Sequence, residues 1–281
     1  ANDIAIENMT VSNSTPQGGS QAEALMIESG AARFILNNAE VDSRQDTILA
    51  NINSSQGYFY HSRIQGNYDY IWGGGNLYFD RCVMNTVAGA SGFNVTAARS
   101  GTSATISTNY PWLNPGGTYT ANGMSFVNCS FTADPGVTTV SLADANGTAG
   151  ELVSWYGCDF ATNYIAPSTS LFSGNFVFWQ DANTMSGSPV TFAVVTSISG
   201  TDARLLAATN IPTWFYGWTP QRAPNIVTNP VDQNVIIGSP ATFTVVAAGI
   251  PDPTYQWLKN ETNIPDATNA MFTISNTSTA D

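Results

Sequence analysis

The stretch YFDRCVM (78–84) recurs in outline twice farther along the chain, as SFVNCSF (125–131) and SWYGCDF (154–160). Each copy alternates aromatic or apolar residues with polar ones, reaches a Cys, and places an apolar residue two positions on. Sliding the pattern along the chain finds weaker copies at IAIENMTV (4–11), FILNNAEV (34–41) and FYHSRI (59–64). The position held by Cys is then occupied by Met9, Ala39, Ser62, Cys82, Cys129 and Cys158, at spacings of 30, 23, 20, 47 and 29 residues. Repeats of this length mark a solenoid, the step of 47 reading as two coils. Every copy is a short strand of period two followed by Gly, Asn or Ser turns, and no 11-residue stretch carries a helical stripe. The expected fold is a right-handed single-stranded parallel β-helix, whose coils stack and bury their inward faces continuously.

The composition agrees. Only 10% of the 281 residues are charged, against roughly 25% in an average soluble protein. Stacked coils tolerate ladders of Asn, Ser and Thr better than like charges ~4.8 Å apart on neighbouring strands. The eight basic residues, Lys259 the one lysine, face 20 acids for a net charge of −12, which argues against nucleic acid and anionic membrane as partners. Aromatic residues at 11% argue against disorder. No apolar run reaches the ~18 residues of a membrane span, and ANDIAIENMT (1–10) lacks the basic-then-apolar layout of a signal peptide. Three cysteines are too few for a disulfide framework and read as buried small hydrophobes. The sequons Asn94-Val95-Thr96 and Asn146-Gly147-Thr148 lend slight support to an extracellular setting. The Gly, Ser, Thr and Asn-rich segment 85–122, with Trp112, reads as a coil with a surface loop.

Within this repeat Gln21, Gln45 and Asp69 follow one another at steps of 24, and Asp46 lies 23 before Asp69. A coil of about that length brings the four side chains together from three adjacent coils. Two neighbouring carboxyls cannot both ionise freely, so one keeps a proton as an acid while the other attacks. Two carboxamides supply N–H donors to a developing oxyanion. The spacing alone is equally met by a Gln/Asn ladder that merely stacks.

The segments Gln21-Ala22-Glu23-Ala24-Leu25, Gln45-Asp46-Thr47-Ile48-Leu49 and Gly66-Asn67-Tyr68-Asp69-Tyr70-Ile71-Trp72-Gly73 resemble, in order and spacing, three signature segments of the pectin methylesterases (QAVAL, QDTL, G-x-V-D-F-I-F-G). The resemblance continues through NVTAARS (94–100), GMSFVNCSF (123–131) and DPGVTTVSL (134–142) to Trp218-Thr219-Pro220, and so covers about 1–220. It implies a secreted or cell-surface carboxylic ester hydrolase that de-esterifies pectin, the methylated homogalacturonan of plant cell walls, as a monomer and without cofactor or metal. It implies Asp69 as nucleophile on the C6 ester carbonyl, Asp46 as acid and then base, and Gln45 and Gln21 as holders of the oxyanion. Trp72, Tyr70 and Arg99 fall on its substrate-binding side. Two departures stand out. The family's Arg, in a segment L-G-R-P-W, has no counterpart in Leu142-Ala143-Asp144-Ala145-Asn146, which leaves Arg99 as the replacement cation to test. The Tyr that precedes the family's QDT is Arg44. Alternatives on this fold are a non-catalytic carbohydrate-binding or adhesive solenoid and a pectate lyase or glycoside hydrolase.

Other chemistry finds little support. His61, the single histidine, sits one residue before the Cys-equivalent position and reads as a surface or ladder residue. No G-x-S-x-G elbow occurs, Gly73-Gly74-Gly75 lacks the context of a phosphate loop, and no clustered metal ligands are evident. After 222 the composition shifts. Residues 223–281 resemble an immunoglobulin-like module, carried by the alternation of ATFTVVAAG (241–249) and a buried-type Trp257. Such a module needs ~100 residues, so this one reads as truncated, an incomplete β-sandwich with exposed strand edges, and the β-helix (1–222) as lacking its first coils.

Overall fold

The computed structural model describes residues 3–16, 22–27, 33–50, 56–73, 76–89, 93–98, 123–143, 152–166, 176–180, 182–190, 196–198 and 219–279. The chain divides into two compact units, 1–219 and 220–281.

The first unit is a parallel β-helix of three sheets, and six successive coils, from Asp3 to Ile165, each contribute a strand to all three in turn. The first sheet stacks Asp3–Glu7, Arg33–Asn37, Gln56–Tyr60, Asn76–Asp80, Gly123–Val127, Leu152–Tyr156, Phe176–Gln180 and Thr196–Ile198. The second stacks Thr10–Ser12, Glu40–Asp42, Arg63–Gly66, Val83–Thr86, Ser130–Ala133, Asp159–Phe160 and Thr184–Met185. The third stacks Leu25–Ile27, Ile48–Ala50, Ile71–Gly73, Asn94–Ala98, Val140–Ala143 and Tyr164–Ile165. Among the described residues all these pairings are parallel. The second sheet ends on one antiparallel strand, Ser188–Pro189, which folds back on Thr184–Met185 and closes the ladder with a proline that cannot donate to a further strand.

The Cys-equivalent positions form one column. Residues Glu40, Arg63, Val83, Ser130 and Asp159 pair in succession, so Ala39, Ser62, Cys82, Cys129 and Cys158 lie directly above one another. The three thiols are buried and donate to carbonyls of the preceding coil, Cys82 to Phe59 and Cys129 to Phe79 at 3.4 Å and Cys158 to Phe126 at 3.5 Å. Ser62 occupies the same slot because its hydroxyl reaches the Tyr60 carbonyl at 2.9 Å. The column runs on to Asn183, whose Oδ1 accepts from the Cys158 amide and whose Nδ2 donates to the Trp155 carbonyl, both at 2.8 Å. Val83 pairs directly with Ser130, so the step of 47 is a single coil and not two. That coil carries Asn94–Ala98, and its extra residues fall at 99–122, Trp112 among them, outside the described residues.

Just before this column the chain turns through a left-handed residue in six successive coils: Asn8, Asn38, His61, Arg81, Asn128 and Gly157 have φ of 55, 48, 46, 53, 53 and 60°. Asn tolerates this region best among residues with a Cβ, and Asn38 adds a side-chain bond to Asn8 Oδ1 at 2.8 Å. His61 is thus an exposed corner residue, as its position suggested. Inside, Phe59, Phe79, Phe126 and Trp155 stack along the axis, with centroids 4.4, 4.7 and 6.1 Å apart and planes within 16° of parallel.

Among its described residues the second unit holds three antiparallel pairs: Arg222–Thr228 with Val246–Ile250, Ala241–Thr244 with Met271–Ile274, and Leu258–Lys259 with Thr262–Asn263. Trp257 packs against Phe243 and Phe272 at 6.2 and 5.9 Å and donates its indole N–H to the Asn269 carbonyl. It is half-buried, less enclosed than its sequence context suggested, because Ile226, Val246, Leu258 and Met271 also remain exposed.

Candidate active site

Between the second and third sheets the chain makes a second corner, through Ser43–Thr47 in one coil and Gly66–Tyr70 in the next. Gln45 bridges Tyr68, the Asp46 amide donates to the Tyr68 carbonyl at 3.1 Å, and the Ile48 amide donates to the Tyr70 carbonyl at 2.9 Å. With Ile48 paired to Ile71, the coil period here is 23, and Asp46 and Asp69 occupy one register position on neighbouring strands. Both are left-handed, with φ of 51 and 46°. The same unusual turn is therefore made twice, one coil apart, and sets the two aspartates at matching backbone positions on adjacent coils. Exposure is 2% for Asp46 and 7% for Asp69, rare for carboxyls, which seldom leave water without a compensating role.

The corner is braced from several sides. Ser43 donates its hydroxyl to the Ala22 carbonyl, Thr47 to the Gln65 carbonyl at 3.0 Å, and Asn67 its amide to the Val87 carbonyl at 2.8 Å. Gly66 explains itself sterically. A Cβ there would lie 2.1 Å from Tyr70 Cβ and 2.5 Å from Thr47 Oγ1, the residues that directly follow the two aspartates. Gly66→Ala should therefore cost about 1–3 kcal/mol of stability through overpacking, and it should lower turnover as well, because the relief must come from the chain that carries Asp46 and Asp69. Chemical denaturation alongside an activity assay reads both; loss of stability with unaltered turnover would show that the corner yields elsewhere.

Gln45 is half-buried beside Asp46. The register of 23 places it diagonally to Asp69, not directly opposite as a step of 24 had implied. Gln21 and Arg99 lie outside the described residues. Trp72 is half-buried and in register with Leu49 and, one coil farther, Met26, which is 46% exposed. This apolar row on the outer face of the third sheet went unnoticed in the sequence, since Leu and Met at strand positions carry no distinctive signal. Strict alternation would set Trp72 opposite Asp69. Tyr70 and Ile71 both turn into the core, however, so the alternation breaks at the left-handed residue and leaves Asp69 and Trp72 flanking them on the outer side.

Tyr70 is a correction. It is 0% exposed, its hydroxyl lies 3.4 Å from Thr86 Oγ1, and burial raises its phenol far above the ordinary range, so it is a core residue that no polymer can touch. Arg44 is exposed and donates to the Ala88 carbonyl at 3.2 Å. Asn94 was noted only as a sequon. It stands at the head of the strand Asn94–Ala98, half-buried, with Nδ2 donating to Asp69 Oδ1 at 3.3 Å, which is not the setting of a surface glycan acceptor.

Comparisons with known proteins bear on the family and the fold. The family described as Pectinesterase matches residues 1–141, and that described as Immunoglobulin domain matches 223–281. A pectinesterase of Ralstonia nicotianae is 32% identical over 142 residues, which are 47% of this chain and 32% of that protein. One of Sitophilus oryzae is 29% identical over 84 residues, 29% of this chain and 22% of that protein. The chain thus spans a third or less of the length of these curated relatives. Among solved structures, pectin methylesterase from carrot superposes with a TM-score of 0.58 at 16% identity, over 76% of this chain and 67% of that one. The Yersinia enterocolitica pectin methylesterase gives 0.57 at 16%, over 77% and 75%. These structures support the β-helix fold. Residues 1–141 are half of the chain and carry the whole corner from Ser43 to Tyr70, and on that match the chain belongs to the pectinesterase family.

Proposed function

We propose that the β-helix hydrolyses methyl esters of galacturonate units in pectin and releases methanol. The observation that carries this reading is the register match of Asp46 and Asp69, two buried carboxyls in the same left-handed turn on adjacent coils. Asp69, ionised, attacks the C6 carbonyl and forms an acyl-enzyme anhydride. Asp46, protonated, gives its proton to the departing methoxide, and then takes one from the water that attacks the anhydride, which restores both groups. Gln45 offers an amide N–H to the oxyanion, with Gln21 as its partner in that role. Activity then needs one carboxyl charged and the other protonated, so the pH profile is a bell whose two limbs report the Asp46–Asp69 pair as a unit.

The support for a polymeric substrate is the half-buried Trp72, three residues after Asp69, and the family membership; a pectin methylesterase of the same fold is described in complex with a hexasaccharide. Trp72 stacks on a sugar ring in this reading. Trp72→Ala should raise KM about tenfold, with kcat changed less, in steady-state assays on methylated pectin. An unaltered KM would remove Trp72 from the binding surface. The working setting is extracellular and the working form a monomer; among the described residues no helix is long and apolar enough to cross a membrane. Methanol release from methylated pectin, in the wild type against Asp69→Asn, tests the reading as a whole and separates it from a binding solenoid. Formation of unsaturated product instead would favour a lyase.

A further inference from the structure

We propose that Asn94 is a positioning residue that aims the Asp69 carboxylate from the adjacent coil; the inference rests on the esterase reading above. Its amide donates to Asp69 Oδ1 at 3.3 Å. The carboxyl torsion of Asp is broad and nearly two-fold, so a carboxylate without a fixed donor rotates and presents either oxygen. Holding Oδ1 restricts that rotation and fixes the direction in which the carboxylate faces the ester. The donor itself is well anchored. Thr96 pairs with Ile71 on one side and Ala143 on the other, Asn94 pairs with Ser141, and the Ser141 amide donates to the Phe93 carbonyl at 2.9 Å. Thr96 Oγ1 adds a bond to the Leu142 carbonyl at 3.2 Å, and Val95 is buried in the core. The backbone that carries the amide is clamped from both neighbouring coils.

The chemistry of the donor matters too. A hydrogen bond to the ionised form stabilises that form, so Asn94 lowers the pH at which Asp69 becomes a nucleophile. A carboxamide does this without a charge and without titrating across the working range. Its acid isostere has nearly the same shape yet offers no donor when ionised, and it would set a third carboxylate against Asp46 and Asp69.

The test compares the wild type with Asn94→Ala, Asn94→Asp and Asn94→Ser in methanol release from methylated pectin as a function of pH, with Asp69→Asn as the inactive control and thermal midpoints recorded for all. Asn94→Ala and Asn94→Asp should lower kcat about 10- to 100-fold, the range for a hydrogen bond to a charged group, while KM stays within about threefold. The acid limb of kcat/KM should move to higher pH, farther for Asn94→Asp than for Asn94→Ala, and Asn94→Ser should recover part of both losses. A purely structural role would lower the midpoint and leave the limb in place. If Asn94→Ala does not fold, the near-isosteric Asn94→Asp and the smaller donor Asn94→Ser decide by the same limb. Wild-type kcat and an unmoved acid limb in these variants, with Asp69→Asn inactive, would overturn the positioning role while the esterase reading stands. A wild type that releases no methanol overturns both.

Discussion

Asp69→Asn should abolish methanol release, lowering kcat by roughly three to six orders of magnitude, the scale seen when a covalent nucleophile is removed. The carboxamide is nearly isosteric with the carboxylate but is far too weak a nucleophile to acylate. It can still meet Asn94 Nδ2 through its carbonyl oxygen, so the contact at 3.3 Å need not break. The fold should be untouched or slightly more stable, because the substitution removes the negative charge that Asp69 holds at 7% exposure. A loss of activity without a loss of thermal stability is the signature to look for. The measurement is initial methanol release from highly methylated pectin at matched protein concentration, with calorimetry on the same samples. If Asp69→Asn kept more than about a tenth of the wild-type rate, the attacking group would have to be sought elsewhere, with Asp46 next in line.

What was legible in the sequence, and what was not, follows from the kind of interaction involved. The Cys column was legible because stacking in register makes coil after coil place a small buried side chain at one slot, and Ala39, Ser62, Cys82, Cys129 and Cys158 meet that demand with different chemistry; Met9, read from the sequence as the first member, is in register with Ala39 but 51% exposed. The column's end was missed because Asn183 fills the slot by hydrogen bonding, which apolar patterning does not record. The coil of 47 residues was misjudged for a related reason. Insertions between coils leave strand pairing intact, so spacing alone cannot separate two short coils from one long one. At the site, the pairing of Asp46 with Asp69 was visible as a step of 23. The step of 24 through Gln45 counted from the wrong neighbour, since register is set by Ile48 and Ile71 within the strand. Tyr70 was placed on the substrate side by the resemblance, although alternation from Asp69 already turns it inward; it is Ile71, buried beside it in the core, that breaks the alternation. The Asn94 contact spans 25 residues and lies between coils of unequal length, so no fixed period points to it.

The largest effect on stability should come from Phe126→Ala. Phe126 is fully buried in the middle of the aromatic column, with Phe79 4.7 Å below and Trp155 6.1 Å above, and Phe131 meets its edge at 5.5 Å. Truncating such a side chain costs about 3–5 kcal/mol, the sum of lost transfer energy and an unfilled cavity. In a solenoid each coil rests only on its neighbours, and the backbone ladders on both sides hold the coils at the strand spacing, so the walls cannot close over the gap. The site is positioned by a different corner, and at temperatures well below the transition its turnover should be nearly unchanged. For a unit of this size the β-helix transition should fall by on the order of 10 °C in calorimetry. Cys129→Ser is the informative contrast. It changes a neighbouring buried slot by one atom, and Ser62 shows that a hydroxyl is satisfied there by the carbonyl two residues before it, so its cost should stay below about 1.5 kcal/mol. If both substitutions cost the same, the aromatic column would be incidental and backbone pairing alone would hold the coils together. A large gap between them would place the stability of the β-helix in the continuous inward stack, the feature on which the opening repeat depends.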